Sequence, residues 1–136
     1  MKAIEEAIFT RYNQPAGAAF KAVTPGGLYN TEAPQKAQDN GAYAVFTLID
    51  DSPEYTFTSE GEDVLVQFTL VSYDRSVIDV NDMFEQLKGF LDFVKLSVAG
   101  YDSIECRRQP GANKVRDPEA DAWLYMVDYR ILVQKQ

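Results

Sequence analysis

The fold is decided by residues 63–94, where an alternating stretch leads directly into a helical one. Residues 63–73 read Asp-Val-Leu-Val-Gln-Phe-Thr-Leu-Val-Ser-Tyr. Side chains alternate between the two faces of a β-strand, so this order predicts a strand with one fully apolar face and one mixed face. The residues on the apolar face are Val64, Val66, Phe68 and Leu70.

A long amphipathic helix is predicted after this strand. Ser76 or Asp79 can cap its N-terminus, and Gly100 is placed to end it. Roughly 20 residues would give a helix on the order of 30 Å long, enough to cover one face of a small sheet. Its apolar stripe consists of Val80, Met83, Phe84, Leu87, Phe90, Leu91 and Val94.

The rest of the chain supplies one further helix and several strands. Near the N-terminus, Ile4, Ala7, Ile8 and Tyr12 share one face of a predicted helix. Residues 43–49 read as a strand, and the C-terminal third reads as a long hairpin ending in the alternating residues 123–133. This order, in which hairpins dominate, predicts a single α+β domain over residues 1–136. The sheet should be mainly antiparallel, with the long helix and the N-terminal helix packed on one face. Loops are predicted at Thr31–Asn40, Ser52–Asp63 and Gln109–Asp121.

Composition narrows the class of protein. The 136 residues are 46% hydrophobic and 25% charged, which is typical of a globular domain. No apolar stretch approaches the roughly 18 residues that span a bilayer, and the N-terminus lacks the apolar segment of a signal peptide. We therefore expect synthesis in the cytoplasm and no membrane partner.

The chain has few side chains of the types that usually catalyse reactions or bind transition metals. The chain has no histidine, which removes most nucleophile activation and most transition-metal sites. Its one cysteine, Cys106, precedes Arg107, whose charge would favour a thiolate, but free cysteines are more often buried. Carboxylates cluster at predicted turns, where exposed acids are ordinary. The sequence thus predicts no catalytic centre, no metal site and no cofactor.

Charge is distributed unevenly. The net charge is −8, and residues 41–105 carry three basic and thirteen acidic side chains, whereas residues 106–136 carry six basic and four acidic ones. Such asymmetry can steer one copy toward another, although both zones could be solvated surface alone. An acidic protein also argues against specific nucleic-acid binding. The candidate interface residues are Arg107, Arg108, Lys114 and Arg116 on the basic side, and Asp50, Asp51, Glu60, Glu62 and Asp63 on the acidic side.

The order of these segments resembles the tail-completion or tail-terminator proteins of long-tailed bacteriophages and prophages. The resemblance covers nearly the whole chain and rests on residues 43–55, on 63–73 leading into the helix, and on Arg116-Asp117-Pro118 before residues 123–133. It implies a virion tail protein, made in the bacterial cytoplasm, that caps the tail tube as a homohexameric ring. The tail-tube protein and the head-neck connector would be its partners, and DNA would pass through the ring.

A second interpretation remains open. Trp123, Tyr125 and Tyr129 share one face of the last predicted strand and could form the surface of a non-catalytic module that binds a small ligand or a peptide. The same rings would equally serve as sheet core. A deep pocket lined by converging polar groups would favour the binding module.

Overall fold

The fold is built on a six-stranded sheet, seen in a computed structural model that describes residues 1–55, 60–73 and 78–136. The α-helices are α1 (Lys2–Tyr12), α2 (Ala18–Val23) and α3 (Ile78–Leu91), with short 3₁₀ turns at Pro15–Gly17 and Gln35–Asn40. The strands are β1 (Leu28–Asn30), β2 (Ala42–Tyr55), β3 (Glu60–Ser72), β4 (Tyr101–Arg108), β5 (Asn113–Asp117) and β6 (Ala122–Lys135). The predicted α+β class is confirmed.

The sheet is antiparallel except at one margin. Its order is β1-β2-β3-β6-β4, and β5 also pairs with β6. Among the described strands, only β1, which pairs with β2, is parallel to its neighbour. Since β3 occupies one side of β6 from Trp123 to Gln134, β4 and β5 must follow one another along its other side. The central strands are thus β3 and β6, and the two margins are formed by β1 with β2 and by β4 with β5.

The core lies between the helices and one face of this sheet. The predicted apolar face of β3 is fully buried, and it meets the equally buried face of β6 and the apolar stripe of α3. Phe68 and Tyr129 pack edge to face at 5.9 Å between ring centres. Each large apolar side chain buried in this way contributes about 1.5–3 kcal/mol. The alternation in the sequence therefore identified the core face of the sheet correctly.

Helix α3 is shorter than its apolar stripe predicted. It has 14 residues and ends at Leu91, because Phe93 adopts a left-handed conformation and its N–H binds the carbonyl of Cys106. The chain then runs on without helix, burying Leu96 and Val98. Of the two predicted caps, Ser76 lies outside the described residues, and Asp79 lies inside the helix.

The predicted loops are mostly regular structure. The first contains the 3₁₀ turn Gln35–Asn40, and the third contains β5. In the second, β2 runs to Tyr55 and β3 begins at Glu60, and residues 56–59 lie outside the described residues. Polar residues form strands in the second and third segments because a paired neighbour supplies the ladder hydrogen bonds, whatever the hydropathy of the segment.

Two hairpins have their closing strand pairs at opposite ends of the sheet. Gly61 pairs with Gln134 and Ser72 pairs with Trp123, so β3 and β6 run in opposite directions. The pair of Tyr55 on β2 and Glu60 on β3 therefore lies at one end of the sheet, and the pair of Asp117 on β5 and Ala122 on β6 lies at the other. No helix in the described ranges is long and apolar enough to cross a membrane.

Candidate interaction surfaces

The five acidic residues singled out from the sequence lie together on two paired strands. Asp50 and Asp51 are on β2 just beyond a β-bulge, and Asp51 is directly opposite Val64, one residue beyond Asp63 on β3. Glu60 and Glu62 continue along β3 toward the turn. We call this group (Asp50, Asp51, Glu60, Glu62 and Asp63) the acidic hairpin. Its residues are strand residues, so their placement in turns was wrong.

Several carboxylates of the acidic hairpin have cationic neighbours. Asp63 forms an ion pair with Arg130 at 2.7 Å, Glu60 lies 3.8 Å from Lys135, and Asp51 lies 3.9 Å from the amino group of Met1. Glu62 differs, because burial and then the nearby Asp51 carboxylate raise the pKa of its carboxyl group. The hairpin therefore keeps a surplus of negative charge.

The four basic residues do not form one patch. On β4, the exposed Arg107 is paired with Glu105 at 2.8 Å, whereas Arg108 faces the helices and reaches Asp92 at 3.4 Å. On β5, Lys114 donates a hydrogen bond of 3.2 Å to Asn81 of α3, and Arg116 pairs with Asp121.

Some of these cations therefore make contacts within the chain, and one is exposed enough to contact another molecule. Arg108 also lies over the Phe84 ring, and Arg116 lies over Trp123, so both serve contacts within the chain. Arg107, whose side chain is 62% exposed, is better placed than either for an intermolecular contact.

Asp50 and Asp51 of the acidic hairpin lie on one margin of the sheet, and Arg107 lies on the opposite margin. β1 pairs with β2 only at residues 44–46, which leaves the rest of β2 as a sheet margin, and β4 with β5 forms the other. Both margins carry exposed aliphatic side chains at β-bulges. Ile49 on β2 is 52% exposed, and Ile104 on β4 is 50% exposed.

Sequence reasoning missed these apolar surface positions. Residues 43–49 were predicted as a strand without a facing for Ile49; with Ala44 and Phe46 buried, alternation places Ile49 on the outer face, at the bulge between Leu48 and Asp50. Phe93 is 75% exposed just beyond α3. The exposure of Phe93 could have been predicted from the sequence, because this residue does not belong to the apolar stripe of the predicted helix.

The aromatic surface of the alternative interpretation is core. Tyr129 is completely buried, Tyr125 stacks on Phe84 with ring centres 4.3 Å apart, and Trp123 packs against the core beneath Arg116. Only Tyr129 is fully buried, whereas Trp123 and Tyr125 are half-buried against the core. These positions match sheet core, the role that the sequence left open beside ligand binding.

Cys106 is not a nucleophile candidate either. It is fully buried, and burial and then the Asp92 carboxylate raise the pKa of its thiol to about 12. The favourable effect expected from Arg107 is absent, because that side chain is exposed and paired with Glu105.

A cleft of about 470 Å³ lies between α2, the start of α3 and the ends of β2 and β3. Small apolar residues and two carboxylates line it, and the lining comprises Ala22, Val23, Pro25, Gly41, Ala42, Tyr73, Asp79 and Asp82. Within the part of the chain that the structure describes, no three Cys, Asp or Glu side chains group to hold a metal ion.

The fold is shared with a virion component. A chain in the virion of a native gene transfer agent particle superposes with a TM-score of 0.77 at 14% identity, over 98% of this chain and 96% of that one. A second solved structure gives a TM-score of 0.56 at 11% identity, over 97% of this chain and 95% of that one. The sequence matches no protein-family profile and no curated protein. At these identities the likeness concerns the fold.

Proposed function

We propose that this chain is a structural protein of a phage-like virion, where it caps the tail tube and joins the tail to the head-neck connector. The observation that carries the proposal is the fold likeness to a gene transfer agent virion chain, which extends over 98% of this chain. The order of segments in the sequence led to the same class of protein by a separate route. Fold alone does not assign function, so the proposal also depends on the surfaces.

The sheet margins support assembly into a ring of identical subunits. A head-to-tail contact uses two different surfaces of the same chain, and it closes into a ring when the rotation per subunit permits. Asp50 and Asp51 of the acidic hairpin lie on one margin and Arg107 on the other, so neighbouring copies would place opposite charges together. We propose six subunits, the number implied by the tail-terminator resemblance.

The hairpin ends are the proposed docking surfaces for other virion proteins. The last described pairs of the two hairpins, Tyr55 with Glu60 and Asp117 with Ala122, lie at opposite ends of the sheet. One turn would contact the tail-tube protein, and the other would contact the connector. With a net charge of −8, the ring would let DNA pass without binding it. No catalytic turnover is part of this proposal.

Removal of the gene from a strain that produces the particles tests the assigned role. A cap at the end of the tube both stops its growth and provides the joint to the head. Electron microscopy should therefore show heads without tails and tubes of irregular length, and the protein supplied in trans should restore joined particles. Normal yields of joined particles without the protein would contradict the proposal.

A further inference from the structure

Phe93 combines a strained backbone with an exposed aromatic ring. It lies just beyond the end of α3 with φ 59°, a left-handed conformation that glycine adopts most readily. Its N–H donates a hydrogen bond of 2.9 Å to the carbonyl of Cys106, which fixes the residue beside β4. Its side chain is 75% exposed, so the ring does little for the fold of the single chain. Strain of this kind concentrates at functional positions.

Phe93 belongs to an apolar margin with basic neighbours. Ile104, 50% exposed, lies two residues before Cys106 on β4, the strand against which Phe93 is held. Lys95 and Arg107 are exposed along the same stretch. We call these four residues the Phe93 margin.

The opposite side of the sheet offers a complementary surface. Ile49 projects from the β2 bulge with 52% of its surface exposed, and the exposed Asp50 and Asp51 follow it directly. We call these three residues the Ile49 margin. In the described ranges, three of the four exposed large hydrophobic side chains lie in these two margins, and the fourth is Val115.

We propose that Phe93 is the anchor of the contact between copies, with its ring packed on Ile49 of the next copy. Asp50 and Asp51 would then face Lys95 and Arg107. This inference rests on the self-assembly proposed above and names the residues that perform it. An aromatic anchor surrounded by polar contacts is the usual arrangement of an interface hot spot. Because the two margins are different surfaces, the contact is head-to-tail.

The variant Phe93→Gly separates assembly from folding. Glycine fits the left-handed position, so the thermal stability of the isolated subunit should stay the same or rise. Loss of the anchor should weaken self-association about 30-fold, measured by sedimentation velocity over a concentration series. Val115→Thr, at the exposed aliphatic residue outside both margins, serves as the matched control and should assemble like the unchanged protein. Equal self-association of Phe93→Gly and the unchanged protein would overturn the inference.

Mixing two defective variants tests the pairing itself. Phe93→Gly keeps the Ile49 margin, and Ile49→Thr keeps the Phe93 margin. At a concentration at which the unchanged protein has just assembled, each weakened variant alone should therefore stay monomeric. Their mixture should form a one-to-one heterodimer that grows no further. If the mixture remains monomeric while the unchanged protein assembles, the proposed contact between Phe93 and Ile49 is wrong. The proposal of a ring is not affected by that result.

Two further results would also decide against the contact. Loss of binding to a purified tail-tube protein by Phe93→Gly, with self-association intact, would assign the Phe93 margin to that protein. If the unchanged protein stays monomeric at every concentration, both the proposed ring and the proposed Phe93–Ile49 contact are wrong.

Discussion

The hydroxyl of Tyr129 donates a hydrogen bond of 2.5 Å to the Asp92 carboxylate and so ties the central strand β6 to the chain just beyond α3. Arg108 completes the contact from β4, with 3.4 Å between its Nε and Asp92. Burial and then the bond to Asp92 raise the pKa of the Tyr129 hydroxyl far above its usual value. This trio joins the helix layer to the margin on which Arg107 lies.

Replacing Tyr129 with phenylalanine should lower the free energy of unfolding by about 1–2 kcal/mol, because Asp92 loses a buried donor while the ring is retained. Urea titration followed by circular dichroism measures the change. Tyr125→Phe is the control, since the stacking of that ring on Phe84 survives the substitution. An effect no larger than that of the control would mean that the hydrogen bond adds nothing to stability.

The sequence predicted the layers of the fold better than its surfaces. Alternation in β3 and the stripe of α3 report directly on burial, so the core face followed from them. The ion pairs did not follow, because Arg108 and Arg116 find their partners through the fold and looked like a free basic cluster in the sequence. Bulges likewise change the facing of the residues that follow them without any mark in composition, and the one after Leu48 puts Asp51, not Asp50, opposite the buried Val64.

Cys106 should resist alkylation in the folded protein. Its thiol is buried and its pKa is raised to about 12, so almost no thiolate exists near neutral pH. Iodoacetamide at pH 8 should modify the chain only after urea has unfolded it, and mass spectrometry counts the added group. Rapid modification under native conditions would show that the residue is accessible and ionised.

Glu62 should make the protein slightly more stable in mild acid. Burial, then Asp51, raises its pKa from 4.5, so the folded chain holds this proton more tightly than the unfolded chain does. The contribution is fully present below the ordinary carboxyl pKa and is lost as pH rises through the raised value.

Glu62→Gln should therefore raise the melting temperature at pH 7, by an amount equivalent to about 0.5 kcal/mol, and should flatten this part of the pH profile. Glu60→Gln, on the same strand, is the control and should not raise it. An unaltered pH profile in Glu62→Gln would contradict the role assigned to this carboxylate.

The two neighbouring arginines of β4 should respond differently to charge reversal. Arg108→Glu places a carboxylate against Asp92, so we expect a loss of about 1–3 kcal/mol in unfolding free energy. Arg107→Glu should leave folding nearly unchanged and weaken assembly, because its side chain is exposed on the proposed contact margin. Denaturation and sedimentation measured on both variants check this, and weakened folding in Arg107→Glu would contradict the separation of roles.

Self-assembly of this chain can be measured by light scattering coupled to size exclusion. Across a concentration series at low and moderate salt, we expect a discrete species of six times the monomer mass of 15.3 kDa. Raising the salt should shift the population toward the monomer, because charges on opposite margins help to bring the copies together. A strict monomer at high concentration in every buffer would rule out the proposed ring.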